Sequence, residues 1–304
     1  MAARTKGLVL PVLLLGLAAA SLVRVAADAD IQRSAPRAPT TSTQRIASLV
    51  PALTEMLFAI GAGSQLVAVS SYDTFPPEVR ALPKVGALLN PDYERILSLA
   101  PTLVITYGSQ TDLEARFARA GIRVYSYRHG GLDKVFQTLR ELGALTGHQS
   151  EADIAVRDLQ TQLDVVRDRV RGRPRPRTLL VFERDPQALR QVYASAGNGF
   201  LHDILEIAGS RNVFGDVAGE SVQPSTEALL VRAPEVIIEV RGGEPPAAGV
   251  LLRERAVWAP LASIPAVRNN RVHFLYGDYL VVPGTRLGRT ADALARLLHP
   301  EAYR

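Results

Sequence analysis

The chain has no cysteine, and only one tryptophan, two methionines and five histidines among its 304 residues. Without a thiol there is no disulfide, no cysteine nucleophile, no metal site built on sulfur, and no cysteine after an N-terminal apolar run to carry a lipid. The histidines (His129, His148, His202, His273, His299) fall at no ligand spacing, so a resident metal or cofactor is not expected. Catalytic signatures are missing as well. No G-x-S-x-G elbow, Walker A loop or H-E-x-x-H helix occurs, and the glycine-rich turn GAGSQL at 61–66 fails the dinucleotide pattern at its third glycine. Only a Ser-His-Asp set assembled from distant loops would leave no such trace, and the expectation is a protein that catalyses nothing.

A strong excess of one charge is absent too. The formal net charge is +5, from 35 basic and 30 acidic residues, and part of it sits at the front: Arg4, Lys6 and Arg24 against Asp28 before residue 30. Without those four the balance is 32 to 29, with the two signs interspersed, which does not make a nucleic-acid surface. Long apolar runs are confined to the N-terminus. A basic start, an apolar stretch from Leu8 to Val23 and the sequence Ala27-Asp28-Ala29 compose a secretory signal peptide over residues 1–29. The stretch is about 16 residues, short of the roughly 20 that span a bilayer. Residues 30–44 are a polar lead-in without periodicity. The expected location is therefore a Gram-negative periplasm, reached by export and not by lipid attachment.

What is present is apolar content, 47%, enough for one large or two ordinary domains. From Arg45 short apolar runs alternate with helical periods, the pattern of βαβ units around a parallel sheet. Strands are predicted at 46–50, 66–69, 103–106 and 124–127, with helices at 51–60, 92–99 and 112–120. The rhythm resumes later with strands at 178–182, 236–240 and 272–275 and helices at 199–207, 226–232 and 286–298. Between the two series, residues 150–171 place Ala152, Val156, Leu159, Leu163, Val166 and Val170 at steps of three and four. This predicts one amphipathic helix of roughly 33 Å, capped by Ser150 and stopped by Gly172 and Pro174.

One sentence is written twice. ERILSLAPTLVIT at 94–106 shares its Glu, Leu, Ala, Pro and Ile with EALLVRAPEVIIE at 227–239. A fainter echo links TEMLFAIG at 54–61 with HDILEIAG at 202–209. Each half thus holds a short helix, an Ala-Pro corner and a strand. Glu94 and Glu227 each follow a capping candidate, Asp92 and Ser225, by two residues; on these residues alone a glutamate there complements the helix dipole.

RIASLVPALTEMLFAIGAGSQLVAVSSYDTFPPEV, KVGALLNPDYERILSLAPTLVIT, the long helix and the second E-x-x-L-x-x-A-P-E-V-I-I together resemble the periplasmic substrate-binding proteins of iron-chelate and vitamin B12 ABC importers, the cobalamin binders most of all. The resemblance covers about residues 45–298. It implies an α/β bilobed fold, an N-terminal lobe at 45–149 and a C-terminal lobe at 173–304, joined by one rigid helix at 150–172, with the ligand in the cleft between lobes. It implies a monomer that hands a corrinoid, or another metal chelate such as a ferric siderophore or haem, to permease subunits in the inner membrane. Glu94 and Glu227 match the residues that dock on the permease. Tyr72, Asp278, Tyr279, Leu280, Val281 and Val282 match ligand-contacting positions. Two departures concern the ligand: Leu88 stands where the cobalamin site has a tryptophan, and the family's C-lobe disulfide is absent.

Anionic chelates want convergent arginines, and Arg128, Arg184 and Arg241 each lie at a strand end, where cleft loops emerge. Haem would want a Tyr or His ligand. His129 is the one histidine at such a place, and as a loop residue it reads as exposed.

Overall fold

The computed structural model describes residues 44–304. The expected signal peptide (1–29) and all but the last residue of the lead-in (30–44) lie outside the described residues.

Six strands precede residue 130: Ile46–Ser48 (β1), Leu66–Val69 (β2), the pair Gly86–Ala87 (β3) and Asn90–Pro91 (β4), Leu103–Tyr107 (β5) and Arg123–Tyr127 (β6). Four of them form a parallel sheet in the order β2-β1-β5-β6, while β3 and β4 make a separate hairpin. Strands in such a sheet are covered on both faces, and Leu103 to Ile105 are accordingly all buried. Helices Pro51–Ala59 (α1), Tyr93–Ser98 (α2) and Thr111–Arg119 (α3) connect the strands.

Two helices then run back to back, Leu132–Thr146 (α4) and Gln149–Arg169 (α5). The sequence reading has no helix at α4. It also places the start of α5 one residue late and caps it with Ser150. In fact Gln149 opens the helix and His148 occupies the cap without a side-chain bond, because Gly147, in the left-handed region, turns the chain directly from α4 into α5. Ala152, Val156, Leu159, Leu163 and Val166 are buried, as their spacing predicts. At about 1.5 Å per residue α5 is roughly 32 Å long. Its close approach to α4 depends on Gly143, where a Cβ would stand 2.5 Å from that of Ala152.

The second sheet contains Arg177–Glu183 (β7), Tyr193–Ser195 (β8), Arg211–Asn212 (β9), Ser221–Val222 (β10), Val236–Arg241 (β11) and Val272–Tyr276 (β12). Its order is β10-β8-β7-β11-β12, with β9 beside β7; β8 runs antiparallel to both its neighbours, β7 and β10, and the other pairings are parallel. The three short strands β8 to β10 were not foreseen. Phe200–Ile207 (α6), Thr226–Arg232 (α7), Ala248–Ala256 (α8), Pro265–Arg268 (α9) and Leu287–Leu298 (α10) complete the lobe. One apolar cluster runs from Ile46 and Leu103 through Val156 and Leu163 to Leu180, Ile238 and Leu294, so α5 is packed into a core that both sheets share.

Both copies of the repeated sentence take the same shape. Asp92 accepts from the Arg95 amide at 3.0 Å and Ser225 Oγ from the Ala228 amide at 3.2 Å, capping α2 and α7. Each helix ends on an alanine with positive φ, +45° at Ala100 and +40° at Ala233, and a proline leads into the strand. The second echo closes α1 and α6 on Gly61 and Gly209, both at φ +81°.

Candidate ligand cleft

In a parallel α/β sheet the functional loops leave the carboxyl ends of the strands. On the first sheet these are the segments after β2, β5 and β6, and they bring aromatic side chains to the surface. Tyr72, after β2, is 68% exposed. Phe75 is partly exposed, and the Arg286 guanidinium lies 4.1 Å over its ring. Arg286 is itself held by Glu55 of α1 through a two-pronged ion pair whose Nε to Oε2 arm is 2.8 Å. This contact spans 231 residues of sequence and joins the N-terminal lobe to the start of α10.

At the ends of β5 and β6 the rings of Tyr107, His129 and the buried Tyr127 cluster, with His129 5.3 Å from Tyr107 and edge-on to Tyr127 at 5.1 Å by centroid. His129 lines a cavity of about 200 Å³ with Phe182, Phe200, Leu201, Glu220 and Val281 of the opposite lobe. Its neighbours desolvate the imidazole and lower its pKa, with Glu220 pulling the other way, so the ring is neutral at neutral pH. The lobes touch beside this cavity, where the Phe200 amide donates to the Gly130 carbonyl at 3.1 Å and the Leu132 amide to Asp203 Oδ2 at 2.7 Å.

The segment after β12 is only partly a ligand surface. Val281 is exposed in the cavity. Asp278 braces a neighbouring loop by accepting from the Gly243 amide at 2.8 Å. Tyr279 packs against the core with Arg289 4.0 Å over its ring, and Val282 is partly buried there as well. Leu280 is a correction: it is 0% exposed and belongs to the apolar core, so its side chain has no surface to offer a ligand. Of these residues the turn leaves Val281 the most open, Tyr279 half-buried and Leu280 wholly inside.

The three arginines at strand ends do not converge. Arg184 is buried and donates through Nε to Glu239 Oε1 at 2.8 Å; Arg241 grips the other oxygen of the same carboxylate. Glu239 also accepts from the Trp258 indole at 2.7 Å. Two of the three are thus consumed by an internal network, and Arg128 alone stays exposed at the cleft side.

Asp73 has no counterpart in the sequence reading. It is 4% exposed, neither carboxylate oxygen has a well-aligned hydrogen-bond partner among the described residues, and desolvation raises its pKa to about 6 against partial offsets from the nearby Thr54 hydroxyl and the Lys84 ammonium. Its neighbour in sequence, Tyr72, is the most exposed aromatic of the cleft. No group of three or more His, Asp or Glu side chains among the described residues is arranged to hold a metal ion.

The sequence model of the family described as periplasmic binding protein matches residues 46–279, about three quarters of the chain. The chain belongs to the periplasmic binding protein family. Relatives of this binding protein span nearly its whole described length. An ABC transporter substrate-binding lipoprotein of Bacillus subtilis is 27% identical over 267 residues, covering 86% of this chain and 82% of the relative. The crystal structure of the periplasmic vitamin B12-binding protein of Vibrio cholerae superposes with a TM-score of 0.70 at 25% identity, covering 86% of this chain and 98% of that one. A periplasmic haem-binding protein from Pseudomonas aeruginosa superposes with a TM-score of 0.71 at 26% identity, covering 84% and 93%. The expected bilobed α/β architecture is the one these structures share with it. No helix among the described residues is long and apolar enough to cross a membrane.

Proposed function

We propose that this binding protein is the periplasmic component of an ABC importer that captures a corrinoid between its lobes and delivers it to a permease. The observation that carries this reading is the character of the cleft. Exposed Tyr72 and Phe75, the Tyr107 and His129 rings and the Phe182-Phe200-Leu201 wall form a broad aromatic and apolar surface with little free positive charge. Aromatic surface suits a large, rigid, uncharged macrocycle. An anionic siderophore would need arginines, and Arg184 and Arg241 are occupied by Glu239. Tyr72, Val281 and, at their exposed edges, Asp278, Tyr279 and Val282 supply the ligand contacts in this reading. Glu94 and Glu227, both exposed near the starts of α2 and α7, supply the permease contacts. The protein acts as an exported monomer without a lipid anchor.

A haem ligand is the second reading, favoured by one observation: His129 faces the cavity and makes no hydrogen bond among the described residues that would occupy its ring nitrogens. Mixing the purified protein with hydroxocobalamin, haemin or a ferric siderophore, followed by gel filtration and absorption spectroscopy, separates the readings. The corrinoid reading requires a corrin band that elutes with the protein at one equivalent. A Soret band alone establishes the haem reading, and retention of neither removes both.

A further inference from the structure

Each lobe carries one copy of the repeated short helix, yet the exposed faces of the two copies differ. In α7, residues 227, 230 and 231 stand at i, i+3 and i+4, which places Glu227, Leu230 and Val231 side by side on one helix face. Val231 is 81% exposed and Leu230 42%. The repeat aligns Leu230 with Leu97 and Val231 with Ser98 of α2. There Leu97 packs against the core beside Ile96 and Phe117, and Ser98 donates its hydroxyl to the Arg95 carbonyl at 2.7 Å. The N-terminal copy therefore presents a carboxylate with a polar flank. The C-terminal copy presents a carboxylate with two apolar side chains beside it.

We infer that Leu230 and Val231 form an apolar knob that seats in a socket of the permease, next to the basic residue that receives Glu227. The inference rests on the permease-docking reading given above. Three observations select this occupant. Glu227 is exposed and makes no ion pair among the described residues, so its carboxylate is open to a basic residue of a partner. Its apolar neighbours continue the same face, so a partner that meets the carboxylate covers them too. A second copy of this chain is disfavoured, because a two-fold contact centred on this face sets one Glu227 against the other. Burial of the knob also orients the complex. The two glutamates alone are related by the pseudo-symmetry of the lobes and would permit docking in either sense, whereas a knob on one copy distinguishes them.

The test uses the full secreted chain and its cognate permease with ATPase subunits in nanodiscs, scored by the binding constant and by stimulation of ATP hydrolysis. V231S removes most of the exposed apolar surface at the knob and should weaken the complex about tenfold, leaving the thermal midpoint of the free protein unchanged. L230Q should act in the same direction. The variant carrying both E94A and E227A is measured alongside. Loss of docking in that variant with no effect of V231S or L230Q overturns the knob while preserving the docking reading. Normal docking by the double glutamate variant overturns both. Sedimentation of the wild type as a dimer that V231S converts to a monomer assigns the face to self-association and likewise overturns the inference.

Discussion

Asp73 is the residue whose environment has the clearest energetic consequence. Its carboxyl is buried with no well-aligned hydrogen-bond partner among the described residues, and desolvation, only partly offset by Thr54 and Lys84, raises its pKa from 3.8 to about 6. A raised carboxyl pKa means that the folded state resists ionisation. Stability is therefore unpenalised below about pH 3.8, is lost as pH rises through the interval, and reaches its full penalty above about pH 6. The interval corresponds to roughly 3 kcal/mol. Replacing Asp73 with Asn should raise the unfolding free energy by about 2–3 kcal/mol at pH 7.5 and change it little at pH 3.5, read from urea midpoints at the two pH values. An unchanged midpoint at pH 7.5 would show that the carboxylate is solvated or paired in solution. Residue chemistry of this kind is illegible in one dimension: Ser-Tyr-Asp-Thr-Phe reads as an ordinary polar loop, and only tertiary packing seals the aspartate while leaving Tyr72 in the open. His129 shows the same limit. It is at the surface, as its loop position predicts, but the surface is the wall of an inter-lobe cavity.

At the scale of elements, the parts that sequence rules describe well are those governed by local chemistry. The caps Asp92 and Ser225, the terminators Gly61 and Gly209 and the apolar stripe of α5 all act within a turn or two of the backbone, and each is found where its residue type predicts. Helix α4 carries buried Leu132, Val135, Leu139 and Leu142 at steps of three and four, a helical period legible in the sequence, whereas the reason for Gly143 near its end, the approach of Ala152, lies on another helix. Strands β8 to β10 have two or three residues each, too few to show alternation, and they are placed by pairing, β8 and β9 on β7 and β10 on β8. The Arg184-Glu239-Arg241 network belongs to this scale as well, since it ties β7 to β11 beneath Trp258. Removing Arg184 alone leaves Glu239 a buried carboxylate with fewer partners. R184M should cost about 3–5 kcal/mol of stability, measured by chemical unfolding, whereas a loss under 1 kcal/mol would mean that Arg241 and Trp258 suffice.

For the whole molecule, the shared core through α5 and the Glu55–Arg286 pair bind the two lobes into one body. In the proposed reading the ligand is held between the lobes and the permease is met by Glu94 and Glu227, on helices that do not line the inter-lobe cavity, so the two functions are separable. Converting Glu94 and Glu227 together to alanine should leave ligand affinity within about twofold, since exposed rim charges govern encounter and register more than affinity for a distant site. The same variant should abolish stimulation of the transporter's ATPase. Isothermal titration with the retained chelate and an ATPase assay check the two halves of this expectation, and loss of ligand binding would refute the separation.

The sequence by itself determined the α/β class, the two series of strands, the long helix between them and the duplicated helix-corner-strand unit. These follow from hydrophobic period, caps and turn residues, which act over a few neighbours. Tertiary structure alone decided which strand-end side chains meet. It turned Leu280 into the core, locked Arg184 and Arg241 onto Glu239, isolated Asp73, and set His129 opposite Phe200 across the cleft. Those outcomes depend on contacts between residues scores of positions apart, whose burial and charge no local pattern records.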